Sequence, residues 1–90
     1  MKVSEILANA NPQTVSRGRN LYKIGWHDGY LVVTFQGRDA IYIYGKDGGG
    51  IAEAERDKIL ANPYPDALFS KLKNHWKVYK VEVKRLNGTP

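Results

Sequence analysis

A chain of 90 residues holds one domain, because a second would have too little interior to bury. With no cysteine it forms no disulfide or thiolate metal site, which fits a reducing cytoplasm, and no apolar stretch approaches the roughly 18–20 residues of a transmembrane helix. The net charge of +5 is unevenly placed: residues 1–70 carry eight basic and eight acidic side chains, so the whole excess lies in residues 71–90.

The chain starts MKVSEILANANPQ, with a glutamate and without the apolar core of a signal peptide, so no signal peptide is expected. Val3, Ile6, Leu7 and Ala10 share a helical face, predicting a short amphipathic helix over Lys2 to Ala10 that Asn11-Pro12 stops. Such a helix is marginal alone, and it either docks or serves as an arm together with the rest of residues 1–19. Ser16-Arg17-Gly18-Arg19 is a small basic loop, a surface linker that can also lie along a nucleic-acid backbone.

Asn20 to Trp26 is predicted as a strand, with Tyr22, Ile24 and Trp26 on one face. His27-Asp28-Gly29 supplies a tight turn, since Asp-Gly favours the primed turns that match strand twist. The histidine and aspartate have no nucleophile spaced to join them and read as exposed turn residues. The segment from Tyr30 to Tyr44, YLVVTFQGRDAIYIY, is the most strongly patterned in the chain. Leu31, Val33 and Phe35 alternate in one run, and Tyr42 and Tyr44 alternate with Ile41 and Ile43 in the other, around a glycine-containing turn. A three-stranded antiparallel meander follows.

Gly45-Lys46-Asp47-Gly48-Gly49-Gly50 links the meander to a helix expected over Ile51 to Ala61. Strand, glycine-rich loop and helix can present backbone N–H groups to an anion, which makes Lys46, Gly48, Gly49 and Gly50 candidate phosphate contacts. The loop is not a Walker A sequence, and three glycines in a row also suit a flexible connection. Glu53, Glu55 and Asp57 complement the helix dipole and do not share one face, so a carboxylate pair for acid–base or two-metal chemistry is not expected. With two histidines in the chain, no metal and no cofactor is expected.

Asn62-Pro63-Tyr64-Pro65 breaks the chain before a second helix, Asp66 to about Trp76, with Asp66 as N-cap. Leu68, Phe69, Leu72 and Trp76 form its apolar stripe, and Lys71, Lys73 and Asn74 fall away from it. From Lys77 to Arg85 the period returns to two, predicting a half-buried strand with Tyr79, Val81 and Val83 inward and Lys80, Glu82 and Lys84 outward. Residues 86–90 read as a tail. The expected fold is α+β: an antiparallel sheet of a three-stranded meander plus a C-terminal strand, packed by two helices, with a short N-terminal helix, in the order α-β-β-β-α-α-β.

The runs Ile24-Gly25-Trp26, Leu31-Val32-Val33-Thr34-Phe35 and Tyr42-Ile43-Tyr44, followed by helix from Ala54 to Leu72 with an aromatic at Phe69, resemble the KTSC domain. That family is named for its presence at the C-terminus of some lysyl-tRNA synthetases, and it also occurs as small free-standing bacterial and phage proteins. The resemblance spans about residues 20–76. It implies a small α+β fold and an RNA-binding role. Where the family runs from YxY through a valine-proline pair into its helix, this chain has Gly45 to Gly50.

Three functional readings follow, and none needs catalysis, since no nucleophile–base spacing or metal-ligand cluster is present. The first is RNA or single-stranded DNA binding. Phosphates would lie on Lys71, Lys73, Lys77, Lys80, Lys84 and Arg85, and bases would stack on Tyr42 and Tyr44 if that face is open. The second is a small bacterial or phage protein that binds and modulates a protein partner, through an exposed strand edge or by docking on an acidic surface. The third is nucleotide or phosphate capture at the Gly45–Gly50 loop.

Overall fold

The computed structural model describes residues 2–82. It shows α1 (Val3–Asn9), β1 (Gln13–Thr14), β2 (Leu21–His27), β3 (Tyr30–Phe35), β4 (Ile41–Gly45), α2 (Glu53–Ala61), α3 (Pro65–Leu72), a 3₁₀ turn (Lys73–His75) and β5 (Lys77–Val81). This is the expected α+β order with one two-residue strand added. The five strands form one antiparallel sheet in the order β1-β2-β3-β4-β5. Val83, Lys84 and Arg85 lie outside the described residues.

The pairing of β2 with β3 follows from its turn. His27 faces Tyr30, and the two residues between, Asp28 and Gly29, have φ of 49° and 85°. Two positive φ values make a type I′ turn, whose twist matches the strands it joins. In β3 and β4 the period-two pattern then sends alternate residues to opposite faces, and both faces are covered.

On one face, Leu21, Ile24, Leu31, Val33, Phe35 and Tyr44 pack with Ile59 of α2 and Phe69 of α3. On the other, Val32 and Ile43 pack with Ile6 and Ala10 of the α1 segment. The result is three layers, with α1 below the sheet and α2 and α3 above it. Ile24, Leu31, Val33 and Ile59 are fully enclosed, and each side chain of this kind stabilises the fold by about 1.5–3 kcal/mol.

Residues 2–19 are therefore not a free arm. The α1 helix docks through Ile6, and Asn11 ends it in the left-handed region, at φ 48°, just before Pro12. The chain then pairs through β1, and the amide of Trp26 donates to the carbonyl of Ala10 at 2.9 Å. Gly25 makes this approach feasible: a Cβ there would sit 2.5 Å from the Ala10 oxygen.

Several expectations are corrected. Tyr22 does not share the inward face of Ile24 and Trp26. A register shift between Leu21 and Lys23 turns Leu21 inward with Ile24, and Tyr22 is left 46% exposed. Helix α2 starts at Glu53 rather than Ile51, and α3 gives way to the 3₁₀ turn after Leu72. Asp66 is not the N-cap. Tyr64 holds that place, Pro65 fills the first helical position and Asp66 lies in the first turn. Strand β5 forms the sheet's edge beside β4 and is exposed along most of its length, not half buried. Among the described residues no helix is long and apolar enough to cross a membrane.

Candidate functional site

The two tyrosines proposed to stack on bases lie on the face that α3 covers. Tyr44 is buried, with its ring edge-on to Phe69 at 5.2 Å and to Trp76 at 6.0 Å. Burial first, and the neighbouring Tyr42 second, push its phenol above the ordinary tyrosine range. Tyr42 is half-buried and meets Phe35 edge-on at 5.2 Å. A base would have to displace α3 to reach Tyr44, so that residue is core, and Tyr42 packs against the same core.

Among the described residues, the C-terminal lysines do not form one surface. Residues directly opposite in an antiparallel ladder share a face. Lys80 lies opposite Tyr42, on the α2–α3 side, and Lys77 lies opposite Gly45, on the other side. Both have acids beside them: Lys80 Nζ is 3.1 Å from Glu82 Oε1, and Lys77 Nζ is 3.0 Å from Asp47 Oδ2. The hydrogen bond and charge of Glu82 hold the Lys80 ammonium above the ordinary lysine range. Lys71 and Lys73 are exposed and have no acid partner among the described residues. Lys84 and Arg85 are outside the described residues.

The Gly45–Gly50 loop has a shape its glycines explain. Gly48, Gly49 and Gly50 all take positive φ (79°, 114° and 85°), which side chains rarely adopt. The loop folds back on itself, Gly50 donating to the Lys46 carbonyl at 3.1 Å, and Ile51 then donates to Gly29 at 2.8 Å. A Cβ on Gly50 would lie 2.8 Å from the Gly29 Cα, so the loop packs backbone to backbone on the β2–β3 turn. Two of the amides that an anion cradle would use are thus engaged internally. Helix α2 begins after Ala52 and carries Glu53 and Glu55 in its first turn, which repel an anion. Lys46 remains exposed at the loop's start.

His27 lies 3.6 Å from Glu5 of α1, across two layers of the fold, and Asp28 is in the turn. His75 is exposed in the 3₁₀ turn. Glu53 and Asp57 clamp the buried Arg56, each at 2.9 Å, and Glu55 faces Lys58 at 3.7 Å. No group of three histidine or acidic side chains among the described residues is close enough to hold a metal ion.

A different surface, at the opposite end of the sheet, was only partly legible. Asp66 reaches back from α3 to the loop before β2, where its carboxylate accepts from the amides of Arg19 (2.7 Å), Leu21 (2.9 Å) and Asn20 (3.3 Å). Burial works to raise the pKa of Asp66, but the bonds from Leu21, Arg19 and Asn20 and the charge of Arg19 outweigh it and hold the carboxyl below its usual range. Gln36 ties the same loop to the β3–β4 turn, its amide nitrogen donating to Gly18 at 3.0 Å and Leu21 at 3.2 Å. The clamp holds Arg17 and Arg19 beside Tyr64, and together they border a groove of about 390 Å³. Tyr64 is 75% exposed. The sequence signalled the Arg-Gly-Arg loop and the Pro-Tyr-Pro break separately, some 45 residues apart in the Leu21–Asp66 bond, and nothing local joined them. No family model matches this chain, and no curated protein and no solved structure matches it significantly.

Proposed function

We propose that the protein is a non-enzymatic nucleic-acid-binding module that holds phosphates along the outer face of α3 and the basic loop clamped to its start. One observation carries this reading. Arg17, Lys71 and Lys73, on the loop and on α3 and its 3₁₀ extension, are exposed without an acid partner among the described residues, as Lys2, Arg38 and Lys46 are elsewhere, whereas Lys77 and Lys80 have partners. Between them Ala67, Ser70 and Lys71 form the solvent stripe of the helix, at i, i+3 and i+4, and Asn74 is exposed in the 3₁₀ turn that follows. Small side chains there let a backbone lie close, and the cations at either end neutralise it. The KTSC resemblance implies the same class of partner.

Lys71→Glu with Lys73→Glu is expected to weaken binding of RNA or single-stranded DNA about tenfold at low salt and to flatten the salt dependence. Anisotropy titrations over a range of salt check this. Unchanged affinity, or no affinity in the unaltered protein, rejects the reading.

One observation favours a second reading, a protein partner that adds a strand to the sheet. Strand β5 is an edge strand, and it exposes Val78 (55%) and Tyr79 (50%) on opposite faces. A partner retained in stoichiometric amount from nuclease-treated bacterial lysate, and lost on Val78→Asp, is the expected outcome under that reading. Loss of all partners on nuclease treatment speaks for nucleic acid.

A further inference from the structure

We infer that the groove between the Arg17–Arg19 loop and Tyr64 is a nucleotide subsite, which takes one unstacked base of a single strand on the Tyr64 ring and its phosphate on the two arginines. This rests on the nucleic-acid reading and deepens it: phosphate contacts alone do not separate single strands from duplex, and a stacking platform does.

The geometry is specific in three ways. First, the ring is held out on purpose-built backbone. Tyr64 stands between Pro63 and Pro65, and its amide donates to Asn62 Oδ1 at 2.8 Å, so the ring projects from a stiff turn and loses little freedom on binding. A tyrosine that is 75% exposed contributes little to the core, whereas every other aromatic on the α2–α3 side of the sheet packs there. Secondly, the arginine loop is positioned by the protein and not by the ligand. The Asp66 carboxylate takes three amides of that loop, and Gln36 takes two of its carbonyls. Asp66 is the acid lining the groove, and its oxygens point into these bonds, with Arg19 offsetting its charge. Arg17 has no acid partner among the described residues. Thirdly, the volume of about 390 Å³ lies within the range that starts near 300 Å³ for small-molecule sites.

Two arginines and a tyrosine lining one groove suit a phosphate joined to a planar ring. A base enters only if it leaves its own stack, so the site favours single strands. The stripe of Ala67, Ser70 and Lys71 continues from Tyr64 along α3 and gives the next phosphates a path.

The test uses fluorescein-labelled oligothymidylate, oligouridylate, a duplex of the same length and an oligoglutamate peptide, titrated at low salt. Tyr64→Ala is expected to weaken both single strands about tenfold and to leave the duplex unchanged, with Tyr64→Phe binding as the unaltered protein does. The two single strands separate RNA from DNA as the source of the base. Because the ring is exposed, Tyr64→Ala keeps the thermal unfolding midpoint, which circular dichroism verifies. If Tyr64→Ala binds single strands normally while Lys71→Glu with Lys73→Glu does not, the subsite is wrong and the wider reading stands. Equal sensitivity of oligoglutamate to Tyr64→Ala also overturns the subsite, and an unaltered protein that binds no nucleic acid overturns both.

Discussion

Replacing Asp66 with alanine is expected to destabilise the protein by about 2–3 kcal/mol, a fall of roughly 10 °C or more in the unfolding midpoint. The carboxylate holds the amides of Arg19, Asn20 and Leu21. The first two are exposed and can turn to water, so most of the cost comes from the half-buried Leu21 amide and from the lost anchor between α3 and β2. Asp66→Asn keeps one acceptor oxygen and should lose about half as much. The pH dependence has a definite sign. The folded pKa of Asp66 lies below its unfolded value of about 3.9, so its contribution is complete above that value and disappears as pH falls through the folded pKa. Urea denaturation should therefore show a gap between the unaltered protein and Asp66→Asn at neutral pH that narrows under strongly acidic conditions. A gap independent of pH would assign Asp66 a packing role only.

Gly25→Ala is expected to be similarly costly, by about 2–3 kcal/mol. The added methyl would sit 2.5 Å from the Ala10 oxygen and 3.0 Å from its carbon, both backbone atoms that cannot turn aside. The damage should be local at first: α1 must lift, breaking the 2.9 Å bond from the Trp26 amide and uncovering Val32 and Ile43. Hydrogen exchange is the discriminating measurement. Amides of residues 6–10 and of Trp26 should lose protection, while those of β3 and β4 keep theirs. Uniform loss across the sheet would mean that α1 is part of the global folding unit.

The meander was legible because its signals are local. Asp28-Gly29 sets the first turn, and alternation sets which side of the sheet Tyr42, Tyr44, Ile41 and Ile43 occupy. Alternation does not say what covers each side. That is why β5 was read as half buried: Tyr79 does lie on the Ile43 side, but α1 lies mainly over β2 and β3, reaching Ile43, and Tyr79 is left 50% exposed. The register shift at Tyr22 was equally hidden, since it depends on Leu21 and Ile24 both turning inward to meet the helices. Asp66 before an apolar run looks like an N-cap, yet Pro65 already fills the first helical position, and its real partners come from a loop far away in sequence. The surroundings of the charged residues were hidden for a related reason. A count of charges located the lysines in the chain, whereas their value depends on neighbours: Asp47 and Glu82 offset two of them, and the clamp that gathers Arg17, Arg19 and Tyr64 is entirely tertiary.

The strictly sequential strand order has a consequence for how the chain assembles. Strands β1 to β4 meet through short connections, and each can zip onto its predecessor as soon as that predecessor exists. Strand β5 alone must wait, because α2 and α3 intervene between it and β4, and closing that longer loop gives no benefit until Phe69 and Trp76 have settled over Tyr44. The last strand is thus a late latch on an already formed meander. Synthesis from the N-terminus follows the same order, so a growing chain can complete the meander first, while the outer edge of β4 stays unpaired until β5 arrives.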